Sequence, residues 1–179
     1  MTLPAVLVAD DATLDDVSAL VRLVNAAYRD PGPAPGWTDE RGLVSGTRTD
    51  PDTLRAELSA SRFLVLRFQS GAPPVACLRV QPHPPDAWLL STIAVDPARQ
   101  AAGLGRQLLA GTEHLARAAG ICRLALTVIP LRTDLVGWYE RRGFRSTGAV
   151  LPFPYGDPAV GTPLRPDLTL AVMEKRLVP

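Results

Sequence analysis

The sequence predicts an α/β domain of the layered α+β type, in which one mixed, mainly antiparallel sheet lies against helices. Three observations lead to this fold class. The predicted elements follow the order β-α-α-β-β-β-α-β-α-β-β. Three of the strands, within 63–95, are joined by short turns and should form an antiparallel meander. A crossover helix follows them, so the next strand should run parallel to the last of the three.

The first third of the chain is predicted to hold one strand and two helices around a long loop. A short apolar run at 5–9 is the first strand. Apolar residues then recur with helical spacing over 14–28, after Thr13 as N-cap. Asp50, followed by a proline, starts the second helix. The proline- and glycine-rich range 29–49 is long enough to be either functional or disordered.

The rest of the chain alternates strands with two more helices. Apolar runs predict six strands, at 63–69, 75–81, 87–95, 121–129, 144–151 and 168–177. Helical periodicity, with glycines as stop signals, predicts helices at 102–119 and 134–142. Five prolines mark 152–167 as a second long loop. We find no internal repeat, and we expect one domain over 1–179.

Composition and charge argue against several classes of protein. Hydrophobic residues make up 46% of the chain and charged residues 21%, which is typical of a globular domain. The formal net charge of +1 gives no support to nucleic-acid binding. No apolar run is long enough to cross a membrane, and residues 1–16 lack the basic start of a signal peptide. We therefore expect a cytoplasmic protein without nucleic-acid or membrane partners.

Cysteine and histidine are too few for a metal centre. Cys77 and Cys122 both fall in predicted strands, where we expect buried reduced thiols rather than a disulfide or a nucleophile. His83 and His114 are the only histidines, one in a predicted turn and one on a predicted helix. We therefore expect neither a bound metal nor a His-based catalytic triad.

The stretch 95–120 combines a strand end, a loop with two glycines and an amphipathic helix. The free N–H groups of the helix's first turn and the helix dipole favour an anion. Gly103 and Gly105 lack a Cβ, so a phosphate could approach the backbone, and Arg99 and Arg106 add positive charge. We interpret the stretch as a pyrophosphate site. A dinucleotide fold would need a third glycine and a tighter turn, and a P-loop motif is absent.

The segment Gln100-x-x-Gly103-x-Gly105 resembles the acyl-CoA signature, [QR]-x-x-G-x-[GA], of the GNAT superfamily of N-acetyltransferases. The predicted element order is similar to that of the same superfamily, so the resemblance covers nearly the whole chain. It implies acetyl-CoA as co-substrate, with its pantetheine arm in a gap between the strands at 89–95 and 124–129. The implied cofactor-binding residues are Ile93, Ala94, Val95, Gln100, Ala101, Ala102, Gly103, Leu104, Gly105 and Arg106.

A second signature of the superfamily, Y-x-x-x-G-F at the end of a helix, is matched by Tyr139, Gly143 and Phe144. The resemblance implies that Tyr139 lies near the thioester sulfur and protonates the departing thiolate as general acid. A phenol with a pKa of about 10 can give its proton to a developing thiolate. The alternative role of Tyr139 is a structural aromatic that packs the helix on the sheet.

Two departures from the superfamily pattern affect the proton chemistry. Arg132 stands where many members carry Asn, and it could contact cofactor or substrate or be a solvated surface residue. The strand segment 88–93 lacks the Glu that many members use to deprotonate the amine. Water held by Ser91 or Thr92, a carboxylate of the first long loop, or an amine of lowered pKa could take its place. The general base therefore stays unassigned.

Contacts with the acceptor should come from the two long loops, the variable parts of this fold. The candidate acceptor-binding residues are Tyr28, Trp37, Glu40, Ser91 and Tyr155. The stretch 151–157, with two aromatics among prolines, could instead form a homodimer contact. The sequence thus predicts direct acetyl transfer to a primary amine of a small molecule or a peptide. The alternative is a non-catalytic module that binds or senses acyl-CoA.

Overall fold

A computed structural model describes residues 8–30, 32 and 36–177 of the chain. Its strands are β1 (Val8–Asp11), β2 (Val44–Ser45), β3 (Arg62–Arg67), β4 (Ala76–His83), β5 (Ala87–Val95), β6 (Arg123–Val128), β7 (Arg145–Pro152), β8 (Thr162–Pro163) and β9 (Thr169–Arg176). Its α-helices are α1 (Val17–Arg29), α2 (Pro51–Ala60), α3 (Leu104–Ala118) and α4 (Thr133–Glu140). Short 3₁₀ turns lie at Leu14–Asp16, Pro97–Ala102 and Pro158–Val160.

Seven strands form one mixed, mainly antiparallel sheet, which confirms the predicted fold class. Their order is β1-β3-β4-β5-β6-β9-β7. Strands β3, β4 and β5 form the predicted meander. The α3 crossover makes β6 parallel to β5, and this is the one parallel pairing in the described part of the sheet.

The central strands carry apolar side chains on both faces, so helices cover the sheet on both sides. Along β3, Phe63 and Val65 pack with the buried residues of α1 and α2. Their neighbours Leu64 and Leu66 point the other way and pack with the buried residues of α3. The central strands therefore lie between two apolar clusters, one on each face of the sheet.

The two predicted loops pair with each other, which periodicity did not predict. Strand β2, from the first loop, forms an antiparallel ribbon with β8, from the second. The Leu164 N–H also donates to the Leu43 carbonyl at 2.9 Å. Each strand of the ribbon is only two residues long, too short for a periodic signal. The first loop is thus ordered where the structure describes it.

The first strand differs from its prediction. Asp10 and Asp11 were expected to end it, yet both pair with β3, because an edge strand can leave charged side chains in solvent. Residues 5–7 of the predicted strand lie outside the described residues. Cys77 is buried as predicted, but the prediction for Cys122 is wrong, since it lies before β6 and is exposed.

Candidate active site

The central strands β5 and β6 run side by side for only part of their length. Their parallel pairing stops at Leu90 and Leu126. Beyond this point β5 stays paired with β4 as far as Val95, and β6 stays paired with β9 as far as Val128. The flanking strands β4 and β9 thus hold open a gap between the ends of β5 and β6, as the resemblance implies.

A cavity of about 250 Å³, here called the gap cavity, lies where the two strands separate. Its walls combine β5 and β6 with α1, α4 and both long loops. Its polar lining residues include Tyr28, Glu40, Arg48, Ser91, Arg132 and Tyr139. Apolar residues such as Leu135 and Phe153 complete the wall.

A bulge in β5 shapes one wall of the gap cavity. Thr92 has a φ of +48°, an uncommon conformation for a β-branched residue, and the register with β4 shifts at this point. The Ser91 hydroxyl is buried and has no hydrogen-bond partner in the described part of the chain. The Ile93 carbonyl accepts a hydrogen bond from the Tyr28 hydroxyl at 2.9 Å. The Ser91 hydroxyl on this wall is therefore available to a ligand or water.

The loop after β5 builds a second space, here called the loop recess, of about 380 Å³. Asp96 caps the 3₁₀ turn by accepting from the Ala98 N–H at 3.0 Å. Gly103, with a φ of +73°, then turns the chain into α3. The lining residues are Trp37, Gln100, Ala102, Gly103, Gly105, Arg106, Trp138 and Arg142.

Two buried donors of the loop recess, Gln100 Nε2 and Arg142 Nε, have no partner among residues 8–30, 32 and 36–177. A buried donor without an acceptor costs free energy, so the pair indicates room for a ligand acceptor. Burial, together with Arg141 and Arg106, lowers the pKa of Arg142, and a bound anion would offset this cost. The donors therefore fit a phosphate group.

The surroundings of Gly105 differ from the open backbone that the sequence predicts there. A Cβ on it would lie 3.2 Å from the Trp37 ring and 3.2 Å from the Trp138 ring. These indoles stack with their centroids 4.4 Å apart, and the Arg142 guanidinium lies 3.4 Å from the Trp138 centroid. At Gly103 a Cβ would meet only the end of the Arg106 side chain, at 3.6 Å. The open glycine of the recess is thus Gly103, whereas Gly105 makes room for an aromatic wall.

Tyr139 lies on α4, and it lines the gap cavity. Its ring packs edge-on against Trp138 and Phe144, with centroids 5.1 Å and 5.7 Å away. Burial raises the pKa of Tyr139 well above its ordinary value, so the phenol is neutral at physiological pH. Both functions considered for this residue, packing and proton donation, are compatible with this position.

Arg132 ties the first long loop to α4. Its guanidinium donates to the carbonyl of Asp39 and, at 2.5 Å, to the carbonyl of Trp37. Asp134 holds the same guanidinium at 3.1 Å, and the Arg132 side chain is only 13% exposed. Arg132 is therefore not a solvated surface residue, although it also lines the gap cavity.

The carboxylates of the first loop differ in placement. Glu40 lines the gap cavity and pairs with Arg29 at 2.6 Å. Asp39 pairs instead with Arg41 at 2.9 Å. Burial acts to raise the pKa of Asp39, but hydrogen bonds from Arg41 outweigh it and hold the pKa below its usual value. Of the two, only Glu40 faces the space where an acceptor would lie.

Most of the predicted site residues meet at one of the two spaces. Tyr28, Glu40, Ser91, Ile93 and Tyr139 line the gap cavity, and Trp37 lines the loop recess with the signature residues. The side chains of Ala94, Val95 and Leu104 are buried in the core, so only their main-chain groups can meet a ligand.

Tyr155 is brought to neither space. Its hydroxyl donates to the Arg165 carbonyl at 2.8 Å and accepts from the Leu168 N–H at 2.7 Å. Arg48 and Arg142, by contrast, line the two spaces although no sequence pattern singled them out. At these spaces both arginines meet residues from distant segments, so only tertiary structure reveals this role.

The described residues offer neither a metal site nor a membrane-spanning helix. No group of three or more His, Cys, Asp or Glu side chains within residues 8–30, 32 and 36–177 could hold a metal ion. No helix in the same part of the chain is long and apolar enough to cross a membrane.

Comparison with known proteins gives a family and a set of similar structures. The profile of the Acetyltransferase (GNAT) family matches residues 22–144. Mycothiol acetyltransferase from Rhodococcus erythropolis is 28% identical over 162 residues, a match that covers 79% of this chain. The chain spans about half the length of this relative, 49%.

Two solved structures illustrate the similarity of fold. The ribosomal-protein-S18-alanine N-acetyltransferase from Escherichia coli has a TM-score of 0.68 at 19% identity, covering 97% of this chain and 96% of its own. N-acetylglutamate synthase from Neisseria gonorrhoeae, complexed with coenzyme A and N-acetyl-glutamate, has a TM-score of 0.65 at 19% identity. That match covers 98% of this chain and 36% of the synthase.

Proposed function

Because the chain belongs to the acetyltransferase (GNAT) family, we propose that it transfers the acetyl group of acetyl-CoA directly to a primary amine, with Tyr139 as general acid. The observation that carries the proposal is the gap between β5 and β6. Strand β5 leads from the gap cavity to the loop that builds the loop recess, so one arm serves both spaces. The similar structure named as an N-acetyltransferase supports nitrogen as the acceptor atom.

In this proposal the loop recess holds the pyrophosphate of acetyl-CoA. Gln100 Nε2 and Arg142 Nε donate to its oxygens, which supplies the acceptors that both buried donors lack. The main chain of 93–95 pairs with the amide-bearing pantetheine arm, as a strand edge pairs with an added strand. The buried side chains of Ala94 and Val95 fit such main-chain contacts.

The reaction proposed for the gap cavity makes one bond and breaks one bond. The amine nitrogen bonds to the acetyl carbon through its lone pair, and the bond from that carbon to sulfur breaks. Tyr139 gives its proton to the departing sulfur, and the proton lost by the amine returns to the phenolate through water. Burial keeps the phenol protonated beforehand, while the charges of Arg132 and Arg142 favour the phenolate once it forms.

Ser91 supports a route for the amine proton. Its hydroxyl is buried without a partner in the described chain and lines the gap cavity, so it can hold a water beside the acceptor. Glu40 is the only carboxylate among the described lining residues, and it is already engaged in an ion pair with Arg29. We therefore favour water held by Ser91 as the carrier of this proton.

The test is release of free thiol from acetyl-CoA across a panel of primary amines, with wild type and Tyr139→Phe side by side. We expect turnover with at least one amine and a kcat lower by roughly 10²-fold in the variant, within the range of general acid catalysis. The variant keeps the ring, so its melting temperature and its acetyl-CoA affinity by calorimetry should match those of wild type.

Two results would contradict this assignment. Full activity of Tyr139→Phe would leave the residue with its packing role alone. Tight acetyl-CoA binding without thiol release for any amine would favour the non-catalytic acyl-CoA-binding module.

A further inference from the structure

The charged groups around the gap cavity are not balanced. Its lining carries Glu40, Arg48 and Arg132. Glu40 is neutralised by Arg29, whose Nη1 lies 2.6 Å from the Glu40 carboxylate. Arg132 is engaged by two loop carbonyls and by Asp134. The remaining cation is Arg48, which has no carboxylate partner among the residues that the structure describes.

Arg48 is held in place although it lies in a loop. Its N–H donates to the Asn25 Oδ1 of α1 at 2.6 Å, and the N–H of Thr49 donates to the same oxygen at 3.2 Å. Asn25 Nδ2 donates in turn to the Thr49 carbonyl at 2.9 Å. The Arg48 guanidinium stacks on the Tyr28 ring, 5.3 Å from its centroid. Asn25 of α1 therefore fixes the backbone at Arg48, and Tyr28 of the same helix orients the Arg48 guanidinium.

The position of Arg48 relative to the strand gap follows from Tyr28. The ring of Tyr28 carries Arg48 on its face, and its hydroxyl donates to the Ile93 carbonyl on the arm of β5. One phenol ring thus separates the unpaired cation from the strand edge proposed to face the pantetheine arm. A small acceptor can span this separation, with its amine toward the gap and its other end toward Arg48.

We propose that the acceptor is an amine that also carries a carboxylate, and that Arg48 binds this carboxylate. The inference rests on the acetyl transfer proposed above. A guanidinium offers two parallel N–H donors that match a carboxylate, and it brings the single positive charge that a carboxylate requires. A phosphate dianion would need a second free cation, which the described lining does not provide.

The test compares amines that differ only in the anionic group. Each proteinogenic amino acid is assayed beside its primary carboxamide, with phosphoethanolamine as the phosphate-bearing amine and thiol release as the readout. The best acceptor should carry a free carboxylate. Arg48→Gln should lower its kcat/KM on the order of 10- to 100-fold, the loss typical of a hydrogen bond to a charged group, and change that of the carboxamide far less.

Two further variants refine the test. Arg48→Lys keeps the charge without the planar fork and should fall between wild type and Arg48→Gln. Arg22→Gln removes an exposed arginine of α1 and serves as the matched control for net charge, with unchanged kinetics expected.

Several outcomes would overturn the inference without touching acetyl transfer. One such outcome is a preference for carboxamides or phosphoethanolamine. Another is that Arg48→Gln lowers kcat/KM equally for the amino acids and for their carboxamides. Absence of thiol release with every amine would contradict the proposed function instead. Calorimetry with N-acetyl amino acids and their carboxamides, in the presence of CoA, then decides the inference. Binding of the carboxylates that is lost in Arg48→Gln supports it, and equal or absent binding overturns it.

Discussion

The loop recess and the gap cavity are built in different ways. The recess lies mainly on one continuous stretch, from the cap at Asp96 to Arg106 in the first turn of α3, and Trp37, Trp138 and Arg142 close it. The polar side of the gap cavity is not built on one continuous stretch, because α1, both long loops and the β5 bulge all contribute to its wall. The glycine loop of the recess is formed locally, although Trp37, Trp138 and Arg142 reach it only through tertiary contacts, whereas the polar side of the gap cavity depends on tertiary contacts throughout.

A few tertiary contacts hold the polar side of the gap cavity together. Arg29 pairs with Glu40 of the first loop and donates to the Val160 carbonyl of the second at 3.0 Å. The β2–β8 ribbon joins the same two loops. From this contrast we expect that a substitution in the recess weakens the binding of acetyl-CoA. A substitution that removes one of the contacts around the gap cavity should first weaken the binding of the acceptor.

Gly103→Glu should give the largest effect and tests the recess side of this contrast. The new carboxylate would lie beside the proposed pyrophosphate, and we expect acetyl-CoA affinity to fall by at least roughly 100-fold through bulk and charge repulsion. Calorimetry measures this directly. Gly120→Glu is the matched control, because Gly120 has the same φ of +73° at the other end of α3, with open space around it. Equal affinity of the two variants would refute the placement of the pyrophosphate.

Arg132→Ala tests the cavity side and should give an intermediate effect. Removing the guanidinium leaves the carbonyls of Trp37 and Asp39 without their donor, so the loop that carries Glu40 loses its anchor. We expect the KM for the acceptor to rise by about tenfold, with a smaller fall in kcat, because Tyr139 is retained but loses the Arg132 charge that favours its phenolate.

The control for Arg132→Ala is Arg165→Ala. Arg165 also pairs with the Asp two residues ahead, at 2.7 Å, but its guanidinium makes no hydrogen bond to the described residues of the first loop. A drop in kcat with an unchanged KM would show that Arg132 acts on the reacting groups rather than on the loop.

The same contrast explains what the sequence could predict. The strand end, the glycine loop and the amphipathic helix of the recess are local signals, and long periodic elements such as β5 and α3 are the most predictable parts of a chain. The unpaired cation Arg48 and the loop anchor Arg132 depend on contacts between distant segments. The open backbone expected at Gly105 is covered by Trp37 and Trp138, which approach from two other segments.

The smallest expected effect concerns the pH dependence of kcat and Tyr139, which lines the gap cavity. Burial raises its pKa well above 10, so the phenol that must donate stays protonated throughout the range in which an amine becomes deprotonated. We therefore expect no fall in kcat between about pH 8 and pH 9.5, measured by thiol release with saturating substrates. Tyr139→Phe should show the same shape at a lower level. An alkaline decline in wild type that disappears in the variant would mean that the phenol titrates in this range, and the proton donor would then have to be sought in a more exposed position.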